Sequence, residues 1–268
     1  MPLLCPMNLS EGRSPDVLAA LRAAAGRDLL DIHTDPHHHR SVLTVVGEGA
    51  PRRVATVAVA QIDLADHIGV HPRLGAVDVV PFVAWGDGTN DDATAARDRF
   101  LTWAGAALEL PGFAYGFGAA SLPDVRRHAF RQLVPDAGPS QPHPTAGAVA
   151  VGARGPLVAY NVWLTDPDLA VAQRVAKEIR GNTIRALGLP VGDRVQVSMN
   201  LVDPARTGPA AAYDEVAKRA TVAGAELVGL VPRAVLDRVP VERWAQLDLS
   251  VDRTVEWRLE HRPTGAAT

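Results

Sequence analysis

Apolar residues along the chain alternate between two spacings, and each change of spacing marks a new element. Leu3 to Leu9 reads as a short strand. Ser14 followed by Pro15 is an N-cap and first-turn pair, and Val17, Leu18, Leu21 and Ala24 then recur at helical spacing up to Gly26, a natural stop. Leu29 to Ile32 is a second strand, Asp35 to Arg40 a polar loop, and Ser41 to Val46 a third strand. Pro51 opens a helix carrying Val54, Val57, Ala58, Gln61, Ile62 and Ala65 on one period. Val77, Val79, Val80, Phe82 and Val83 then form a β-branched apolar run of strand length. The order β-α-β-β-α-β is that of the split βαβ, or ferredoxin-like, unit. A helix from about Asn90 to Leu110 and a strand near Phe113 to Phe117 complete this half.

Between Ser121 and Ala146 the pattern dissolves, with prolines at 123, 135, 139, 142 and 144, which predicts a long irregular segment of the kind that often carries function. The order then repeats. Leu157 to Leu164 is a strand, and Leu169, Ala172, Val175, Ala176 and Ile179 mark a helix ending near Gly181. Thr183 to Leu187 and Arg194 to Val202 are strands around a Leu189 to Asp193 turn. Tyr213 to Ala223 is a helix, and Leu227 to Val231 a last strand. Beyond Val239 the pattern gives a short helix and a charged tail. The expected fold class is α+β: two ferredoxin-like (βαββαβ) subdomains, residues 1–147 and 148–268, forming a structural pseudo-repeat.

Composition narrows the function classes. With 47% hydrophobic residues the 268-residue chain can build a sizeable core. A net charge of −3 calls for neither nucleic acid nor an anionic membrane. The clusters Arg52-Arg53 and Arg126-Arg127 read as solvated helix faces. Cys5 is the single cysteine, so no intrachain disulfide framework exists, and its place in an apolar strand makes it a packing residue rather than a nucleophile. No basic leader precedes an apolar stretch, and no apolar run approaches the ~18 residues of a membrane span. The expectation is a soluble, cytoplasmic protein.

Chemistry-capable side chains crowd into His67 to Phe82, HIGVHPRLGAVDVVPF. Gly69 is read as the end of the preceding helical pattern. Pro72 has no N–H to donate and pushes His71 toward an extended conformation, so His67 and His71 should not share a helix face. Imidazole takes and returns a proton near neutrality. Alone, His71 reads more often as a loop histidine bonded to backbone. Arg40, Arg73 and Arg154 each stand beside a turn, where a guanidinium serves equally as a carboxylate clamp or as half of a structural ion pair. Asp31 and Asp35 can orient a histidine or balance a cation, and a loop aspartate as commonly caps its own backbone. His33 with His37-His38-His39 invites a metal reading. Consecutive histidines alternate faces in a strand, however, and no second cluster has zinc-ligand spacing, so no metal is expected.

The string HPRLGAVDVVPF closely resembles the HPRMGALDVVPF signature of glutamate formimidoyltransferases, whose vertebrate versions are fused to a cyclodeaminase. NLSEG at Asn8 to Gly12, DPHHHRSVLTVVG at Asp35 to Gly47, VGARGPLVAYNVWL at Val151 to Leu164, QVSMNLVD at Gln196 to Asp203 and ELVGLVP at Glu226 to Pro232 are similar to the same family in the same order. The resemblance implies two α/β subdomains with ligand in a cleft between them, and transfer of a formimidoyl group from N-formimidoyl-L-glutamate to N5 of tetrahydrofolate, a step of histidine catabolism and one-carbon metabolism. It implies His71 as the catalytic general acid and base, and turns the reading of His71 away from a bystander; Asp31, as a carboxylate able to orient a histidine, is taken as the second catalytic candidate. Arg40, Arg73 and Arg154 become candidate substrate contacts. The segment Gly138, Pro139, Ser140, Gln141, Pro142, His143, Pro144, Thr145, Ala146 and Gly147 aligns with the family's folate-binding stretch. A proline-stiffened backbone loses little entropy when a flat ring docks, although a surface linker has the same composition. Tetrahydrofolate as co-substrate, no metal, small-molecule partners rather than nucleic acid or membrane, a homodimer and no cyclodeaminase domain complete the expectation. This chain departs from the family at Ile68 and Val70, where lysine and glutamate are common, at His33, where aspartate is frequent, and at His39, where asparagine is. These changes keep open a different amine donor or acceptor, formyl transfer, or folate binding without catalysis.

Overall fold

The computed structural model describes residues 3–69 and 72–262. The chain divides into two units, the first running to Gly155 and the second comprising Pro156–His261. Each has its own sheet and its own core.

In the first unit the elements are β1 (Leu3–Leu9), α1 (Pro15–Ala25), β2 (Leu29–Asp35), β3 (Arg40–Val46), α2 (Gly49–Gln61), β4 (Val77–Ala84), α3 (Asn90–Ala107), β5 (Gly112–Gly116), α4 (Leu122–His128) and β6 (Val149–Ala153). The six-stranded sheet has the order β2-β3-β1-β4-β6-β5. Its first four strands are antiparallel neighbours in ferredoxin-like order, and β6 then pairs parallel with both β4 and β5. Strand alternation sends Cys5, Met7, Leu43, Val45, Val80 and Phe82 to one face, where α1, α2 and α3 cover them with Leu21, Val54, Ala58, Phe100 and Ala104. On the opposite face Val79, Phe113, Tyr115 and Ala150 pack with Val125 of α4.

The second unit holds β7 (Val158–Leu164), α5 (Leu169–Ile179), β8 (Ile184–Val191), β9 (Arg194–Leu201), α6 (Pro209–Ala217), β10 (Val222–Val228), α7 (Arg233–Leu236) and α8 (Val255–Glu260). Its four-stranded sheet, β10-β7-β9-β8, repeats the ferredoxin-like order. The α+β class and the pair of βαββαβ-like units are as the sequence pattern predicts. Among the described residues no helix is long and apolar enough to cross a membrane.

Several local expectations need correction. The segment from Ser121 is not wholly irregular: Ser121 accepts the Asp124 N–H as an N-cap and opens the seven-residue α4. With Val125 as its only fully buried residue, that helix leaves no periodic trace. The helix over 49–61 stops at Gln61 rather than near Gly69, because Ile62 turns extended and Asp63 caps a separate 3-10 turn at Leu64–Asp66. β8 runs on through Leu189 and Pro190, so the turn shrinks to Gly192-Asp193, with Gly192 at φ 62°. Helix α6 ends at Ala217, and the sequence from Val222 pairs with β7 as β10 through a bulge before Gly224.

Candidate functional site

Strings far apart in the chain meet at one end of the first unit's sheet. Ser10, just past β1, donates its N–H to Ala76 and its hydroxyl to Gly75. Ser41, at the start of β3, donates to the Glu11 carbonyl at 2.6 Å. Gly12 lies so close to the β2–β3 turn that an added Cβ would stand 2.4 Å from the Asp35 carbonyl oxygen and 2.7 Å from Arg40 N. Glycine is therefore required there by contact alone. From the far side, Ala76 N–H donates to Ala146, Leu64 N–H to Thr145, and Ala148 N–H to Leu74. The Arg73–Ala76 stretch is thus bonded on one side to the β1–α1 loop and on the other to the end of the proline-rich segment.

Asp78 is the electrostatic centre. Its side chain is fully buried in β4. Oδ2 accepts Arg40 and Arg126, each at 2.7 Å, and Oδ1 accepts the Leu74 N–H at 2.7 Å. Burial works against the charged form, but the two guanidiniums outweigh it and hold the carboxyl below its ordinary value. One carboxylate between two arginines leaves the triad net positive. Arg40 also donates to Asn8 Oδ1, and Arg126 to the Pro72 carbonyl, so the triad ties three of the converging segments together. Arg126 was expected on a solvated helix face. Instead α4 turns it inward, while Arg127 remains exposed.

Glu11 caps its own loop by accepting the N–H groups of Gly12, Arg13 and Ser14 on one oxygen. Although burial alone would raise its pKa, these bonds and His39 hold it low. His39, at φ 50°, stands 3.8 Å from Glu11 and packs edge-on to His67, with ring centroids 4.0 Å apart. Burial outweighs the Glu11 charge and lowers the His39 pKa. Burial, then the Arg73 charge, lowers that of His67, whose ring contacts Arg73 and whose Nε2 lies 3.1 Å from the His39 carbonyl. Both imidazoles are neutral at neutral pH. The histidine run fans out: His37 is exposed, His38 turns to Asp35 at 2.6 Å, and His39 faces Glu11. Among the described residues no group of three or more His, Cys, Asp or Glu side chains is arranged to hold a metal.

The proline-rich segment has two parts. Gly138 to Pro142 is exposed, whereas His143 to Gly147 closes on itself through reciprocal backbone bonds of 2.7 and 3.0 Å. The His143 Nδ1 accepts the N–H groups of Thr145 and Ala146, so the proton of a neutral His143 sits on Nε2.

The sequence-derived candidates are placed as follows. Arg40 is in the Asp78 triad, and Arg73 lies beside it on His67. Arg154 has its N–H on the Phe82 carbonyl, four residues along β4 from Asp78, or about 13 Å at the usual strand rise. Asp31 is half-buried in β2, opposite Thr44 and four residues before Asp35. His71 lies outside the described residues. The described residues flanking it are firmly held: Gly69 packs so tightly that a Cβ would meet the His38 carbonyl at 2.6 Å, and Pro72 accepts from Arg126. Sequence reasoning missed Asp78, Arg126 and Glu11. A charge inside the run VDVV was the available signal, since a carboxylate in a buried strand requires a cationic partner.

Residues 2–154 match the formiminotransferase domain, N-terminal subdomain. The chain is 35% identical to a glutamate formimidoyltransferase of Streptococcus pyogenes serotype M1, over 87% of this chain and 90% of that one. It is 33% identical to a glutamate formimidoyltransferase of Thermoplasma acidophilum, over 87% and 88%. It is also 33% identical to the formimidoyltransferase-cyclodeaminase of Sus scrofa, over 87% of this chain and 51% of that one.

Proposed function

This chain belongs to the formiminotransferase family, and we propose that it moves a formimidoyl group from N-formimidoyl-L-glutamate to N5 of tetrahydrofolate, with His71 as general acid and base. The chain is a transferase enzyme, as its relatives are; donor, acceptor and proton carrier are the proposal. The observation that carries it is the backbone-bonded junction at Arg73–Ala76, which joins the HPRLG segment to both the β1–α1 loop and the end of the proline-rich segment.

In the reaction, the N5 lone pair adds to the amidine carbon and the secondary amine gives up its proton as the new C–N bond forms. The departing glutamate nitrogen receives a proton as the old C–N bond breaks. An imidazole near its pKa performs both transfers, and neither a metal nor a covalent enzyme intermediate is required. Both substrates carry carboxylates. The net positive Asp78 triad, with Arg73 nearby, is the matching charge, and Arg40 and Arg73 are assigned to substrate carboxylates. Arg154 is assigned to a separate contact, and Asp31 to orientation on the β2 side. Gly138 to Gly147 is assigned to the folate ring. The two subdomains, set from the sequence at residues 1–147 and 148–268 and dividing in the fold after Gly155, are taken to act in a homodimer in the cytoplasm.

A second donor is the alternative that one observation favours: Ile68 is 79% exposed and apolar where the resembled signature commonly has lysine. The deciding experiment mixes the protein with tetrahydrofolate and formimidoyl-glutamate and measures both the folate absorbance change and glutamate release. Stoichiometric release supports the reading. Thermal stabilisation by folate without turnover would replace it with a different donor or a binding role. His71→Ala should lose turnover by about 10²-fold or more while keeping folate-induced stabilisation. Unchanged turnover removes His71 from its role.

A further inference from the structure

On the outer side of α2 and α3 the first unit holds an open-sided cavity of about 470 Å³, lined by Arg52, Asp98, Arg99, Thr102, Trp103 and Ala106. Its size suits a small ligand, and none of the six residues lies in the segments that meet around Asp78. The pair Arg52-Arg53 reads from the sequence as a solvated helix face, and the structure corrects this. Arg53 turns to α1, where it donates to the Ala24 and Ala25 carbonyls and to Asp28. Arg52 is half-buried, with its guanidinium over the Trp103 ring, 5.5 Å from the centroid. Its Nε is shut off from solvent without an acceptor, a cost that a freely hydrated arginine avoids, while its terminal nitrogens stay open to solvent. Among the described residues the Arg52 guanidinium has no hydrogen-bond or ion-pair partner. Trp103 is braced by Phe100, with ring centroids 5.3 Å apart, and Phe100 by Phe82 at 5.9 Å, so the platform beneath Arg52 is continuous with the core.

The neighbouring charges cancel in pairs. Arg99 is committed to Glu48 through two bonds of 2.9 and 2.8 Å, and Arg97 donates to Asp98 at 2.8 Å. The Arg99 bonds, with the charges of Arg99 and Arg52 adding to them, hold the Glu48 carboxyl below its ordinary value. One positive charge is left over at the cavity, and it is that of Arg52. We propose that this cavity binds a small organic carboxylate, taken by the open nitrogens of Arg52, with an apolar body lying against Trp103 and Ala106. A guanidinium held over an aromatic ring keeps its planar fork of N–H groups, which matches a planar carboxylate. A single excess charge suits a monoanion, since a phosphate would bring a further negative charge up to Glu48 and Asp98. The site is independent of the transferase reading.

The test uses the full chain with benzoate as probe, following the indole N–H of Trp103 and the Nε–H of Arg52 by NMR. Benzoate should shift both signals saturably, with a Kd on the order of 1 mM for so small a ligand. Benzamide, of the same shape without the charge, should bind at least about 10-fold more weakly, and inorganic phosphate more weakly than benzoate. Arg52→Gln should weaken benzoate by a similar factor while the melting temperature stays within a few degrees. Two further variants act on the same charge from outside it. Glu48→Gln releases Arg99 as a second unpaired guanidinium and should tighten benzoate several-fold, whereas Arg99→Gln frees Glu48 to pair with Arg52 and should weaken it. Equal binding of benzamide and benzoate, of phosphate and benzoate, or of benzoate to the natural chain and Arg52→Gln overturns the proposal. A Trp103 signal that moves on dilution of the chain alone also overturns it, by assigning this face to a second copy. The outcome stands apart from turnover: a chain without transferase activity still binds or fails to bind benzoate here.

Discussion

Asp78 shows how much can rest on one side chain. It satisfies two guanidiniums and one backbone N–H from a fully buried position, so removing it leaves Arg40 and Arg126 facing each other at low dielectric. Asp78→Ala should cost about 3–5 kcal/mol, the usual penalty for breaking a buried pair, measured by denaturant unfolding. A loss under 1 kcal/mol would mean that solvent already screens the triad. Arg126→Ala is the functional counterpart: it should raise the KM for formimidoyl-glutamate with a smaller effect on kcat, read from steady-state kinetics. At this scale the sequence was most legible where a residue had an unusual neighbour. Arg40 and Arg73 stand out by their turns, and both lie at the Asp78 cluster. Arg126 did not, because nothing in the spacing of a seven-residue helix with one buried position says which arginine faces inward.

Among the elements, the five residues from His143 to Gly147 tie the proposed folate segment to the backbone at Leu64 and Ala76. Gly147 is at φ 68°, and a Cβ there would stand 2.5 Å from the Leu74 carbonyl oxygen. Gly147→Ala should therefore weaken the junction by at least the ~1–2 kcal/mol of a left-handed non-glycine residue and reduce the thermal shift produced by tetrahydrofolate. An unchanged shift would separate this segment from folate binding. Long elements with clean periods, α1 and β1 to β4, were readable because their apolar faces repeat several times. β6 was not: its small residues, Val149-Ala150-Val151-Gly152-Ala153, are chosen by close packing, and a Cβ on Gly152 would lie 2.2 Å from the Tyr115 ring. The boundary between α6 and β10 failed for a related reason, since alanine-rich stretches satisfy either period and only pairing with β7 decides between them.

For the molecule as a whole, pH should act through histidines before carboxylates. His39 and His67 have folded pKa values below their ordinary 6.5. The unfolded chain therefore takes up protons first as pH falls, and stability is full above about 6.5 and declines below it. Asp35 and Glu11 are depressed in the same sense, so their contribution is present above about 4.5 and fades only as pH falls toward 2. Melting temperatures between pH 8 and 3 should show two successive declines. A flat response between 7 and 5.5 would show that both rings protonate freely in the folded state. The second unit has its own core of Tyr160, Val175, Val197, Leu227 and Leu236, so residues 156–261 should fold alone, with a cooperative melt and dispersed amide signals. The doubled ferredoxin-like order was legible because binary patterning states element type and sequence, whereas the insertion of β6 between β4 and β5 depends on contacts that no local window contains.

That insertion has a consequence for biosynthesis. When β1 to β4 have left the ribosome, β4 is the rim of a four-stranded sheet, an apolar VDVVPFVA ribbon whose outer hydrogen-bonding side stays vacant until Val149–Ala153 has been translated. At ~5–20 residues per second that interval lasts on the order of seconds, long enough for a sticky rim to meet another nascent chain. Stalled nascent chains ending before β6 should be captured by holdase chaperones and cut readily by protease, and those in which β6 has emerged should be neither.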